Sequence, residues 1–296
     1  MRLLLSTALT MALASTLSAQ TKTVAERLGL PANAKLLILH ADDLGVSHSV
    51  NAASFDALDK GAISSASIMM PTPWVTEVAA YAKAHPNADL GLHLTITSEW
   101  ETYRWGSVAS KAAVPSLHDP DGTFPREVKT VVANAKASEV DTELRAQVDR
   151  ALAMGIRPTH LDSHMGALFA RPDLMETYVK MAHDYRMPFL ATLAPKGDLQ
   201  LNTVIVANPN IPAADWLKFY VNAVSTLKPG VSEIIVHLGN DDAELQAVMV
   251  DHDAYGSAWR QRDRDVVHSA EFKKALKDNN VTLIRWSDIQ KLALQP

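Results

Sequence analysis

Short apolar runs recur along this chain, separated by stretches in which apolar positions return every three or four residues. The runs Leu36–His40, Ser64–Met70, Leu90–Leu94, Thr159–Asp162, Pro188–Thr192, Ile234–Leu238 and Val281–Arg285 read as strands. Helical spacing begins after Ser47, Pro73, Ser138, Pro172, Pro212 and Arg264. Ser138 is placed to cap a helix over Glu139–Met154, whose apolar positions fall at Val140, Leu144, Val148 and Leu152, with Gly155 ending it. Pro172 suits the first turn of the next helix. Continuous apolar runs belong to strands buried on both faces, and strand–helix alternation requires a parallel sheet, either closed as a barrel or open and doubly wound. No glycine-rich fingerprint follows any of the runs, which counts against a dinucleotide fold. The expectation is an α/β fold, a distorted (β/α) barrel with about seven parallel strands, as a single domain over residues 21–296.

One segment breaks the rhythm. Between Ser98 and Ala137 lies a long insertion carrying Trp100, Tyr103, Trp105, His118 and Phe124. Loops of this length are commonly lids or binding loops. The aromatics suit either of two roles: stacking on the apolar face of a sugar ring, or forming a satellite core beneath the loop.

Residues 1–20 have a different character. A single positive charge, Arg2, precedes a short apolar stretch, and small residues follow at Thr16, Ser18 and Ala19. That is the layout of a secretory signal peptide, so the mature chain is expected outside the cytoplasm; an amphipathic first helix is the other reading. No later run is long enough to span a bilayer. The net charge of −5 is spread along the chain without the basic patch that nucleic-acid binding needs. There are no cysteines, so a transition-metal site would have to be built from His and Asp/Glu.

The polar atoms collect at strand ends. Leu36-Leu37-Ile38-Leu39-His40 ends in Ala41-Asp42-Asp43-Leu44-Gly45, and two adjacent carboxylates at a strand mouth call for a cation or a shared proton, unless one caps a helix and the other is solvated. His93 sits within the strand Gly91-Leu92-His93-Leu94. In Thr159-His160-Leu161-Asp162-Ser163-His164, period-two alternation puts His160, Asp162 and His164 on one face. Gathered at one barrel mouth, Asp43, His93 and His164 would make a two-histidine, one-carboxylate set with coordination positions open to water and substrate. His237 ends a further strand and is a candidate general acid opposite Asp42, or a structural histidine bonded to a loop.

These motifs resemble those of the YdjC-like carbohydrate deacetylases. His40-Ala41-Asp42-Asp43-Leu44-Gly45 with Asn51 is similar to the first motif. Gly91-Leu92-His93-Leu94 and Thr159-His160-Leu161-Asp162-Ser163-His164 are similar to the second and third, and Ile234-Ile235-Val236-His237 to the late histidine motif. The resemblance runs from about Lys35 to Trp286. It implies a distorted β/α barrel that removes N-acetyl groups from amino sugars, such as chitooligosaccharides, with one divalent metal. By the same resemblance Asp43, His93 and His164 hold the metal, Asp42 is the base and His237 the acid, while His160 and Asp162 take no assigned role beyond orienting a ligand. Family practice implies Mg2+; two imidazoles favour Zn2+ on ligand chemistry. Three departures bear on substrate rather than on the metal set: Met165-Gly166-Ala167 where further histidines are usual, Leu238 where proline is usual, and Leu44 where phenylalanine is common. A glycosidase, needing two carboxylates flanking the scissile bond, is disfavoured because the carboxylates here cluster with histidines. A non-catalytic sugar-binding barrel is the remaining alternative.

Overall fold

β1 (Lys35–Leu44) sets the architecture through its alternation. Leu37, Leu39 and Ala41 point into the main core, shared with the surrounding helices, while Leu36 and Ile38 join a second cluster inside the curl of the sheet. His40 and Asp42 continue that inner face toward the C-terminal mouth. The computed structural model describes residues 22–191 and 194–293; the proposed signal segment lies outside the described residues.

The remaining strands are β2 (Ser65–Ile68), β3 (Leu90–Leu94), β4 (Leu161–Ser163), β5 (Val204–Val206), β6 (Gly230–Val236) and β7 (Val281–Leu283). All pairings between them are parallel, in the order β4-β3-β2-β1-β6-β5, with β7 pairing the first residues of β1 and β2 its later ones. The result is a distorted barrel, a curled sheet wrapped in helices, with seven parallel strands among the described residues. Its lower end is plugged by Trp286, Ile289 and Ala25, which pack with Leu36, Ile38, Val231 and Ile284. Among the described residues no helix is long and apolar enough to cross a membrane.

The strand count agrees with expectation, but its membership does not. Pro188–Thr192 is not a strand: only Phe189 bridges Leu161, because Pro188 has no N–H with which to extend the ladder. Thr192 lies outside the described residues. β5 takes the seventh place as a short, partly exposed edge strand whose three residues carry little pattern. Two helix starts also differ. Ser138 falls inside the helix Ala137–Ala153, whose N-cap is Lys136, and Arg264 lies within the helix Ser257–His268. The break after that helix comes at Ser269, whose hydroxyl accepts the Phe272 N–H and caps Ala270–Asp278.

Candidate metal centre

In a regular strand Asp42 and Asp43 would face opposite sides of the sheet. Here β1 carries one extra residue relative to β2 between Ala41 and Leu44, and Asp43 adopts φ +73°. This bulge turns both carboxylates toward the mouth. The loop that follows is locked by Asn51, whose Oδ1 accepts the Gly45 N–H at 2.7 Å while its amide donates to the Trp74 carbonyl and to Glu77. Gly45 has φ +93°, and a Cβ there would lie 2.8 Å from Val75.

Asp43, His93 and His164 converge, with ligand atoms all within 4.8 Å of one another. Asp43 Oδ1 lies 3.3 Å from His93 Nε2 and 3.4 Å from His164 Nδ1, and it is a buried oxygen without a hydrogen-bond partner. The far nitrogen of each ring is tied to a carboxylate: His93 Nδ1 to Asp162 Oδ1 at 2.7 Å, His164 Nε2 to Glu99 Oε2 at 2.9 Å. Backing an imidazole with a carboxylate fixes the ring and aims its other nitrogen, as metal-ligating histidines require. The second oxygen of Asp43 accepts from Arg260 at 2.7 Å. Burial would raise the Asp43 carboxyl, but Arg260 and the two imidazoles hold it well below the usual range. Burial opposes charging His93 and His164 too, yet the carboxylates around them outweigh it, taking His164 to about 9 and His93 well above its ordinary value. Four carboxylates enclosing two imidazoles form a nest that selects positive charge, and its orphaned oxygen fits a divalent ion.

Asp42 stands beside this set. Its Oδ2 is 3.7 Å from both His93 Nε2 and His237 Nε2, and its Oδ1 is 3.1 Å from His40 Nε2. His237 is held by its backbone N–H, which donates to Asp263 Oδ2 at 2.9 Å, and by Tyr255, whose ring packs edge-on at 4.9 Å. Its Nδ1 is buried without a partner, and burial pushes the ring down to about 4, so the resting imidazole is neutral. Asp263 in turn accepts from Trp216 Nε1 and Tyr220 Oη; burial lifts its carboxyl to about 6.

His160 and Asp162 do share the inner face with His164, but in different roles. Asp162 orients His93. His160 lies beneath, its ring stacked on Trp286 and its Nδ1 2.9 Å from the Thr159 hydroxyl; burial lowers it to about 4. Glu99, Arg260 and Asp263 were missed from sequence. Arg260 and Asp263 are three residues apart on one helix, inside an Arg-Gln-Arg-Asp-Arg-Asp stretch that reads as a solvated face.

The insertion aromatics do not offer a sugar platform. Trp100 is 2 % exposed and Trp105 3 %, packed edge-to-face at 5.6 Å. Trp105 donates to the Thr97 carbonyl and Tyr103 to that of Val46. They wall the site from behind, with Trp105 6.3 Å from the His164 ring and Arg260 over Trp100. At the mouth the aromatic in the open is Trp74, 39 % exposed, bonded through its backbone N–H to the Gly45 carbonyl and packed on His48.

The curled parallel barrel thus carries at its C-terminal mouth a carboxylate-backed His/Asp nest that could hold a metal ion. The YdjC-like protein family matches residues 36–278, and the chain belongs to that family. It is similar to a carbohydrate deacetylase of Thermus thermophilus, 34% identical over 72% of this chain and 80% of that protein. A carbohydrate deacetylase of Brevibacillus brevis is 29% identical over 86% of this chain and 99% of its own. The crystal structure of an Enterococcus faecalis V583 protein, described as a candidate for cellobiose-phosphate cleavage, shares the fold with TM-score 0.75 and 23% identity, covering 86% of this chain and 99% of that one.

Proposed function

We propose that this chain is a metal-dependent deacetylase that removes N-acetyl groups from amino sugars of the chitooligosaccharide type. The observation carrying this reading is the orphaned Asp43 Oδ1 facing two carboxylate-backed imidazoles, with a second carboxylate, Asp42, alongside. Asp43, His93 and His164 would hold the ion, which when bound polarises a carbonyl and acidifies water. Two imidazoles suit Zn2+; Mg2+ is the family's usual ion.

Asp42 takes the proton of the attacking water, and the amide C–N bond breaks as the nitrogen gains a proton. His237, neutral at rest, can pass that proton only after receiving one, and Asp42, 3.7 Å away, is its source. The Asp263 contact to the backbone of His237 keeps the ring at that distance. Trp105 and Trp100 keep water from the rear of the nest. The names of the two deacetylase relatives support the acetylated-sugar substrate. The apolar segment behind Arg2 supports export, with a mature chain working outside the cytoplasm.

The test is incubation of the metal-supplemented protein with N,N′-diacetylchitobiose, measuring acetate and free amine together. Equal, time-dependent release of both supports the reading. Saturable binding of the sugar with neither product would make the chain a binding protein on the same barrel.

A further inference from the structure

His40 is fully buried below Asp42, and its surroundings fix its protons. Nδ1 lies 3.0 Å from Ser65 Oγ, and the single hydroxyl proton of Ser65 is donated to Asp89 Oδ1 at 2.7 Å. Ser65 can therefore only accept from the imidazole, so Nδ1 carries a hydrogen. Nε2 lies 3.1 Å from Asp42 Oδ1 and 3.1 Å from Asp162 Oδ2, with Ser67 Oγ also at 3.1 Å. Two carboxylate oxygens at that range require a donor between them, so Nε2 carries a hydrogen as well. Glu233 adds a third acidic neighbour 3.9 Å from Nδ1. The neighbouring ring, His160, meets His40 edge-on and is the neutral partner.

Resting on the reading above, we propose that His40 is a permanent imidazolium that clamps Asp42, the base, to Asp162, the carboxylate that aims His93, so that base and metal ligand are positioned as one unit. Each acid is thereby held through one oxygen, leaving Asp42 Oδ2 toward His237 and Asp162 Oδ1 on His93. His40 is a positioning residue, since it acts on the reaction through Asp42 and Asp162. Burial works against its charge, but the hydrogen bonds and charges of Asp162 and Asp42 raise it to about 10.

The test uses the full protein in two measurements. Nitrogen-15 NMR of the histidine rings, at neutral pH, reads protonation directly, first without metal and then with one equivalent of Zn2+. Both nitrogens of His40, assigned by its loss in His40→Gln, should carry hydrogens in both states; a ring with one bare nitrogen overturns the clamp. This readout stands whether or not the protein proves to be a deacetylase. The same variant keeps a neutral donor but loses the charge, and should lower kcat about 10–100-fold while KM stays within about threefold, as expected for a misplaced base. An unchanged kcat overturns the proposal. So does binding of two Zn2+ per chain with one lost in His40→Gln, which would make His40 a ligand.

Discussion

Gly91 is where packing and chemistry are coupled most tightly. A Cβ added there would lie 2.4 Å from Cε1 and Nε2 of His160 and 2.6 Å from its Cδ2. Comfortable contact needs about 3.5 Å, so something must move by about 1 Å. The His160 ring has no room to retreat. Its Nδ1 is bonded to Thr159 at 2.9 Å, one face stacks on Trp286 at 5.2 Å, and its edge meets His40 at 5.0 Å. The strand has to give instead, and it carries His93 two residues further along the same face. Overpacking of this kind costs roughly 1–3 kcal/mol. At roughly 2–4 °C per kcal/mol for a domain of this size, Gly91→Ala should lower Tm by about 2–12 °C. A shift of His93 approaching 1 Å should cost on the order of 10²-fold in kcat. Thermal unfolding and acetate release on the same preparation read both effects. Removing the ring as well separates the clash from other causes: Gly91→Ala with His160→Ala should lose less stability than the two single changes summed. A Gly91→Ala protein with unchanged Tm and kcat would refute the coupling.

Three further outcomes follow from the same geometry. Asp42→Asn should lower kcat by about two orders of magnitude or more while the protein still binds one divalent ion, measured by calorimetry; loss of the ion with the activity would exchange the roles of Asp42 and Asp43. Metal-free protein should lose stability as pH rises from about 6.5 toward 10, because His40 has a raised folded-state pKa and its contribution, at most on the order of 5 kcal/mol, is fully present below its unfolded value and lost above. The raised imidazoles of His93 and His164 act in the same direction over this range, while the raised carboxyls of Glu233 and Asp263 have their effect below about pH 7, so the specific check is a shallower fall in Tm over pH 7–10 for His40→Gln. Trp74→Ala should raise KM about threefold to tenfold with little change in kcat, as stacking serves substrate and transition state alike; Trp105→Ala, buried, should instead lower Tm, and the opposite pattern would return the sugar grip to the insertion.

How much of this was legible in the sequence depended on whether local pattern carried it. The face shared by His160, Asp162 and His164 follows from strand alternation alone, and the apolar run Leu36–Leu39 announces a buried strand. The placement of Asp42 beside Asp43 does not follow, since alternation separates neighbours and only the bulge with its left-handed Asp43 reunites them. Arg260 and Asp263 were hidden by a helical charge pattern that suits a wet surface, yet that helix turns this face inward, leaving Asp263 fully buried. Glu99 opens the insertion, where no periodicity marks its direction. The insertion aromatics left two roles open, and burial of Trp100 and Trp105 decides against the sugar platform, though they join the main core and not a separate satellite. β5 escaped notice because three residues at a sheet edge need no apolar alternation, whereas Pro188–Thr192 looked like a strand and Pro188 lacks the donor to extend the ladder.

The central claim is that Asp43, His93 and His164 form a metal centre that drives N-deacetylation. It is tested most directly by acetate release from an N-acetylated chitooligosaccharide, using protein stripped by chelator and titrated with Zn2+ or Mg2+. The account predicts no acetate from the stripped protein, a rise that levels off at one ion per chain, and no recovery in Asp43→Asn. Full acetate release after stripping, or none with the ion bound, would contradict it.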